Sequence, residues 1–180
     1  MRGLAASGCV AAFIAVVAAP REAQALPLLT LSGSARGLYG SALGDATLSA
    51  YGAGLGLRAG VTLPTALYLG GSFDYFFGES EEILGVESSV SLLQLMAHAG
   101  YDLGLGPLTL RPGLGLGLAQ TSLDAGIADE SEGDFVISPG AELIVGLGFW
   151  SVSAEARYNK IFADGDVDAL VFGAGLGFSL

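Results

Sequence analysis

From Leu28 to Leu180 apolar residues alternate with small or polar ones in eight separate stretches. A period of two marks β-strands, whose successive side chains point to opposite faces. The stretches fall at 28–40, 48–61, 65–77, 90–104, 108–120, 135–147, 151–161 and 169–180. In the second, Tyr51, Ala53, Leu55, Leu57, Ala59 and Val61 oppose Gly52, Gly54, Gly56 and Arg58. In the fifth, Leu108, Leu110, Leu114, Leu116 and Leu118 oppose Thr109, Arg111, Gly113, Gly115 and Gly117. The eighth sets Leu170, Phe172, Leu176, Phe178 and Leu180 against Gly173, Gly175, Gly177 and Ser179.

The connectors alternate as well. Thr62-Leu63-Pro64, Leu105-Gly106-Pro107 and Gly148-Phe149-Trp150 are short and carry the proline and glycine that tight turns use. The connectors at 41–47, 78–89, 121–134 and 162–168 are long and acidic. Short turns on one side and long loops on the other fit an up-and-down barrel of the outer membrane, with its loops outside the cell. Pro112 and Pro139 fall inside strands, where a ladder N–H is normally required, and predict bulges. Ile83, Leu84, Val86 and Ile127 put apolar residues in the long connectors, a pattern expected if the fifth and sixth strands project beyond the membrane as an exposed sheet, and equally of short contacts between loops.

Which face points inward separates two architectures. A soluble lipocalin-like binding barrel turns its leucines inward and shows the other face to water. Here that other face is glycine, alanine and serine, and only 14% of the chain is charged, too little for an ordinary soluble surface. The small-residue face is instead a lining for a narrow lumen, and the leucines face lipid. The expected fold is all-β: an eight-stranded antiparallel up-and-down transmembrane β-barrel, integral to the outer membrane of a Gram-negative bacterium. Tyr39, Tyr51, Tyr75, Phe77, Phe135, Tyr158 and Phe172 then form an outer aromatic girdle, and Tyr101, Phe149, Trp150 and Phe178 a periplasmic one.

The start of the chain is processing, not fold. Met1-Arg2, the apolar run Gly3–Ala19 and Ala23-Gln24-Ala25 predict a signal peptide over residues 1–25, with the barrel domain spanning 26–180. Cleavage removes Arg2, Arg21 and Glu22 and leaves five basic and 17 acidic residues. It also removes Cys9, the sole cysteine, and with it any thiol or disulfide chemistry. An acidic chain without a basic stripe argues against nucleic acid as a partner.

The end of the chain carries a resemblance. Gly175, Phe178 and Leu180 at the last alternating positions resemble the C-terminal signal of the eight-stranded outer-membrane proteins typified by the OmpA transmembrane domain, OmpX and OmpW-like proteins. The resemblance covers the whole mature chain as a pattern, with leucine where phenylalanine is usual at the last position. It implies recognition by the barrel-assembly machinery, and residence among outer-membrane lipid and lipopolysaccharide.

Nine ionisable residues fall on the inward face: Arg36, Arg58, Arg111 and Arg157, Asp74, Asp102, Glu142 and Glu155, and His98. Opposite charges crowded in a narrow lumen must pair. Counting from the Gly106-Pro107 turn sets Asp102 opposite Arg111, and counting from Gly148-Phe149 sets Glu142 opposite Glu155, a pair that needs a bridging cation. Arg111 and Arg157 are the candidate bridges. A filled structural barrel with a surface role is the expected function. The alternatives are a narrow channel for small or hydrophobic solutes, favoured by glycine's empty space, and the soluble binding barrel.

Catalysis is not expected. A hydrolase triad at the lipid-facing rim needs a histidine beside a serine and an acid, and the one histidine, His98, faces inward between Ala97 and Ala99. No cofactor or catalytic metal is expected. The long connectors hold 13 of the 17 acids, with Lys160 the one nearby base. They point to divalent cations, bridging in turn to lipopolysaccharide phosphates, or to a basic partner. Asp164, Asp166 and Asp168 have the alternating oxygens that begin many calcium loops, without the later glutamate.

Overall fold

The computed structural model describes residues 29–43, 50–83, 86–124, 129–163 and 166–180. Nine strands are formed: β1 Thr30–Leu43, β2 Ala53–Thr62, β3 Leu67–Ile83, β4 Val86–Tyr101, β5 Leu103–Leu105, β6 Leu108–Asp124, β7 Asp129–Leu147, β8 Trp150–Phe162 and β9 Val167–Ser179. Each pairs antiparallel with its chain neighbour, save that β4 and β5 lie end to end. β1 pairs β9, and β4 pairs β6, so the sheet closes on itself. β5 prolongs β4 in the same register, Leu103 facing Leu110 where Gly100 faces Gly113, so the ring has eight staves.

Pro112 explains the break between β4 and β5. It lies between Gly113 and Arg111 on β6, and has no N–H to give to the neighbouring strand. Asp102 leaves the ladder there and donates its N–H to the Ala66 carbonyl at 2.8 Å. The bulges expected at Pro112 and Pro139 do not form. β6 and β7 hold one register from Leu108↔Val145 to Asp124↔Asp129, and β7 and β8 resume theirs on either side of Pro139. A missing donor interrupts a ladder without lengthening a strand. The register shift in the β3–β4 pair falls between Phe77 and Ser80.

The two glycine hairpins close in the two residues Gly106-Pro107 and Gly148-Phe149, with φ 73° at each glycine. Glycine first in a two-residue hairpin turn matches the right-handed twist of the flanking strands. Trp150, read from sequence as turn, is the first residue of β8. The third short connector carries Ala66 at φ 64° and is held by Leu63 and Leu67.

The outer surface is an apolar belt. Leu55, Leu57, Leu95, Leu118 and Leu176 are among its most exposed members, as a lipid-facing wall requires. Tyr39, Phe77, Phe135 and Phe172 face outward toward one end, and Tyr101, Phe149, Trp150 and Phe178 toward the other. Tyr51 departs from the expected girdle. It precedes β2 at a bend, where Gly40 N–H bonds the Gly52 carbonyl, and its ring turns inward and is buried.

Strand length divides the ring. β3, β4, β6 and β7 have 16 to 19 residues, whereas β1, β2, β8 and β9 have 10 to 14. About 10 tilted residues cross a membrane. The connectors read as loops at 78–89 and 121–134 are therefore largely strand. Ile83 pairs Val86 and Asp124 pairs Asp129 as the last described pairs of the two hairpins, so charged residues occupy ladder positions beyond the apolar alternation.

Substitution of Gly148 by valine forces a β-branched side chain into the left-handed region and is expected to lower stability by about 1–2 kcal/mol. Gly104→Ala, in extended backbone with open space around it, is expected to change stability by less than about 0.5 kcal/mol. Urea unfolding of both variants in detergent micelles measures the contrast.

Candidate functional site

The ring brings all nine inward ionisable side chains into one lumen. β1 supplies Arg36, β2 Arg58, β3 Asp74, β4 His98, β6 Arg111, β7 Glu142, and β8 both Glu155 and Arg157, while Asp102 follows β4 directly. Eight of them form one unbroken chain of alternating charge. Arg157 Nη2 lies 2.6 Å from Asp74, whose other oxygen takes Arg36 at 2.5 Å. Arg36 continues to Glu155 at 2.6 Å, Glu155 to Arg58 at 2.9 Å, and Arg58 to Glu142 at 3.1 Å. Glu142 accepts Arg111 at 3.4 Å, and Arg111 grips both oxygens of Asp102, at 2.5 and 2.9 Å. His98 stands beside the chain, its Nε2 2.8 Å from the Ser72 hydroxyl.

Two of these pairs run straight across the ring. β2 stands opposite β7 and β3 opposite β8, so Arg58–Glu142 and Arg157–Asp74 act as struts. Glu142 and Glu155 face one another across the β7–β8 ladder, and two adjacent carboxylates repel unless a cation joins them. The joining cation is Arg58, with one η nitrogen on each carboxylate. Of the two bridges expected from sequence, Arg111 reaches Glu142, whereas Arg157 is drawn to Asp74. Counting from hairpins finds neighbours on adjacent strands and cannot find a partner across the ring.

Glycine makes room for this chain. A Cβ on Gly56 would run into the Asp74 carboxylate and the Arg36 guanidinium, and one on Gly173 would meet Glu155 and Leu38. The space that glycines leave is filled by longer side chains from neighbouring staves. The same holds at the periplasmic end, where Arg111 stacks over the Tyr68 ring at 3.8 Å and Thr62 donates to Asp102 at 3.0 Å.

Toward the extracellular end the lumen changes character. Gln94 and Asn159 both donate to the Tyr51 hydroxyl, at 2.9 and 3.3 Å, and Asn159 also donates to Gln94 at 3.0 Å. Ser138 completes the buried cluster by donating to Asn159 at 2.6 Å. Around and above it lie Leu38, Phe76, Leu92, Val136, Ile161 and Val171, all buried. Sequence reasoning passed over this layer. Its signal was parity: Phe76 lies two places from Asp74, and Ile161 four from Arg157, on the same inward face.

An outer face of leucine and a polar, ion-paired inside define the barrel type. The family model described as outer membrane protein beta-barrel domain matches residues 9–179. The chain belongs to that family. Among solved structures, the barrel is similar to Neisserial surface protein A, with 18% identity, 84% of this chain and 97% of that one covered, and a TM-score of 0.67. It is also similar to Ail, the attachment invasion locus protein of Yersinia pestis, in complex with the heparin analogue sucrose octasulfate, at 17% identity, 84% and 97% coverage and a TM-score of 0.59. A major outer membrane protein from Thermus thermophilus matches at 10% identity, 84% and 99% coverage and a TM-score of 0.58. These likenesses are of fold. No curated protein matches the chain in sequence.

As a member of this family the chain is an integral barrel of the Gram-negative outer membrane. Its last strand ends with Gly175 turned inward against Arg36, Phe178 stacked on Phe149 at 5.9 Å, and Leu180 bonded to Leu31 through both backbone groups. At the extracellular rim Lys160 pairs with Asp166 at 2.7 Å and Asp168 at 3.7 Å, and the Tyr158 hydroxyl donates to Asp168 at 2.5 Å. Asp164, the first residue of the candidate calcium loop, lies outside the described residues, as does the candidate signal peptide at 1–25. Among the described residues no group of three or more His, Cys, Asp or Glu side chains is placed to hold a metal ion.

Arg58→Met leaves Glu142 and Glu155 facing without their shared cation. Stability to urea is expected to fall by about 3–5 kcal/mol, the cost of breaking a buried pair from one side. Adding Glu142→Gln to that variant is expected to restore part of the loss, because the repulsion goes with the charge.

Proposed function

We propose that the chain is a filled, non-conducting barrel that holds an acidic β-sheet outside the outer membrane for contact with a basic partner. The observation that carries this reading is the unequal height of the wall. Among the described residues, β2 meets β3 no higher than Ala53↔Phe77, and β8 meets β7 no higher than Phe135↔Phe162. Above those levels β3, β4, β6 and β7 continue as two paired hairpins, joined through Ser89↔Asp124. Their sequence carries Glu79, Glu81, Glu82, Glu87, Asp124, Asp129, Glu130, Glu132 and Asp134, all of one sign. Such a field attracts cations and repels anions over about a Debye length, roughly 8 Å at physiological salt.

Sucrose octasulfate, held in the Ail structure, is a polyanion, and the acidic sheet argues for the opposite sign of partner here. A basic protein segment fits it. Divalent cations joining the acids to lipopolysaccharide phosphates are a second use of the same charge. The pairing of Asp166 and Asp168 with Lys160 counts against those two as a dedicated ion site.

Residues 1–25 act as a cleaved export signal, and Gly175, Phe178 and Leu180 as the assembly signal read by the barrel-assembly machinery. The barrel performs no chemistry. His98 is engaged with Ser72 inside the lumen, away from any lipid substrate at the rim.

Shortening both hairpins, by deleting 79–88 and 124–131, is expected to leave a barrel whose unboiled gel band still migrates apart from the boiled one. Binding of a lysine-rich peptide to the intact protein should weaken steeply between about 50 and 200 mM salt, as screening grows, and disappear in the shortened one. Equal binding by the two proteins would overturn the assignment of the sheet as the contact surface.

A further inference from the structure

Two prolines interrupt the wall in the same way. Pro139 pairs with Leu114 on β6 although it has no N–H, so the donor it lacks is the one that would face β8. There the register runs to Ile137↔Lys160 and resumes at Gly140↔Arg157, and the pairs of Ser138 with Asn159 and Pro139 with Tyr158 are missing. Pro112 likewise pairs with Ala141 on β7 and lacks its donor toward β4. On that side Gly100↔Gly113 and Leu103↔Leu110 are formed, and the pairs of Tyr101 with Pro112 and Asp102 with Arg111 are missing. Among the described residues, the ladders β1–β2, β2–β3, β8–β9 and β1–β9 run without such a gap.

At each break a side chain spans the gap. The residue before the proline reaches the residue that stands opposite it in the lost pair. Ser138 Oγ donates to Asn159 at 2.6 Å, both residues buried. Arg111 grips both oxygens of Asp102, at 2.5 and 2.9 Å. A ladder bond missing inside a membrane has no water to replace it, so a bond made on the lumen side is what ties the neighbouring strands there.

The two breaks flank one element. β6 and β7 pair with each other continuously from Leu108↔Val145 to Asp124↔Asp129. A hollow of about 40 Å³ in the lumen takes its lining from both breaks, Gly100 and Gly113 at the first, Ser138, Gly140 and Arg157 at the second. Close packing resists displacement, and unfilled space relieves that resistance.

We propose that the β6–β7 pair is a movable stave, held to β4 and β8 by two side-chain latches, Arg111–Asp102 and Ser138–Asn159, where proline forbids a ladder. A latch of side chains opens and closes again without unzipping the rest of the wall, and the hollow gives the pair room to shift. Neither latch depends on the acidic sheet, so the device stands apart from the surface role.

Hydrogen exchange of single amides, followed by NMR on the intact barrel in detergent micelles, tests the stave. Local opening sets the exchange rate of a protected amide. In the wild type, Leu103 beside the first break, and Tyr158 and Lys160 beside the second, should exchange faster than Val152 and Ala154 on the unbroken part of β8. Ser138→Ala removes one latch and should speed Tyr158 and Lys160 about fivefold, the worth of one hydrogen bond, with Val152 and Ala154 unchanged. Pro139→Ala gives β7 the donor it lacks and should slow Tyr158 and Lys160 below their wild-type rates. Added to Pro139→Ala, Ser138→Ala should no longer speed them, because the restored ladder does the work of the latch. If Pro139→Ala fails to fold, the wild-type contrast and the Ser138→Ala rates decide alone. Equal exchange at the five wild-type amides, or the same acceleration by Ser138→Ala with and without Pro139, would overturn the proposal.

Discussion

The structure depends on a single requirement: charges inside a membrane barrel must neutralise one another within reach of their own side chains. Four arginines and four carboxylates meet it by forming one line, Arg157–Asp74–Arg36–Glu155–Arg58–Glu142–Arg111–Asp102. The line crosses the lumen twice and braces a ring whose diameter is set by strand number and stagger. Breaking one link exposes a buried charge rather than merely losing a contact. The glycines are a consequence of the same requirement, because two walls of ordinary side chains would leave no room for guanidinium groups to reach across.

Above that line the lumen is closed by different means. The Tyr51–Gln94–Asn159–Ser138 cluster satisfies its own polar atoms, and Phe76, Leu92, Val136, Ile161 and Val171 fill the remainder. Polar struts below and an apolar layer above are the packing that the proposed non-conducting barrel requires. The outer end is correspondingly free to extend, and β3, β4, β6 and β7 do so without disturbing the shorter wall.

Much of this was legible in the sequence, for a physical reason. Strand parity assigns every residue to a face, so the leucine wall and the nine inward ionisable residues could be read from the chain alone. Tight turns set register, and the Glu142–Glu155 juxtaposition follows from Gly148-Phe149 by counting. Parity fails where a bend resets it, as at Gly52, which turned Tyr51 inward. Hydrophobicity misplaces strand ends outside the membrane, where Glu81 and Glu130 occupy ladder positions that lipid no longer constrains. Contacts across the ring, such as Arg58 with Glu142, depend on diameter and stagger, which no local pattern carries.

The central claim is that side chains seal this barrel. Single-channel recording in planar bilayers, on folded protein at high load, tests it most directly. The account predicts a silent membrane, with no discrete steps above baseline over a wide voltage range. Sustained, uniform openings from the wild-type protein would contradict it, because ions would then be passing through a lumen in which Arg58 and Arg157 span the ring.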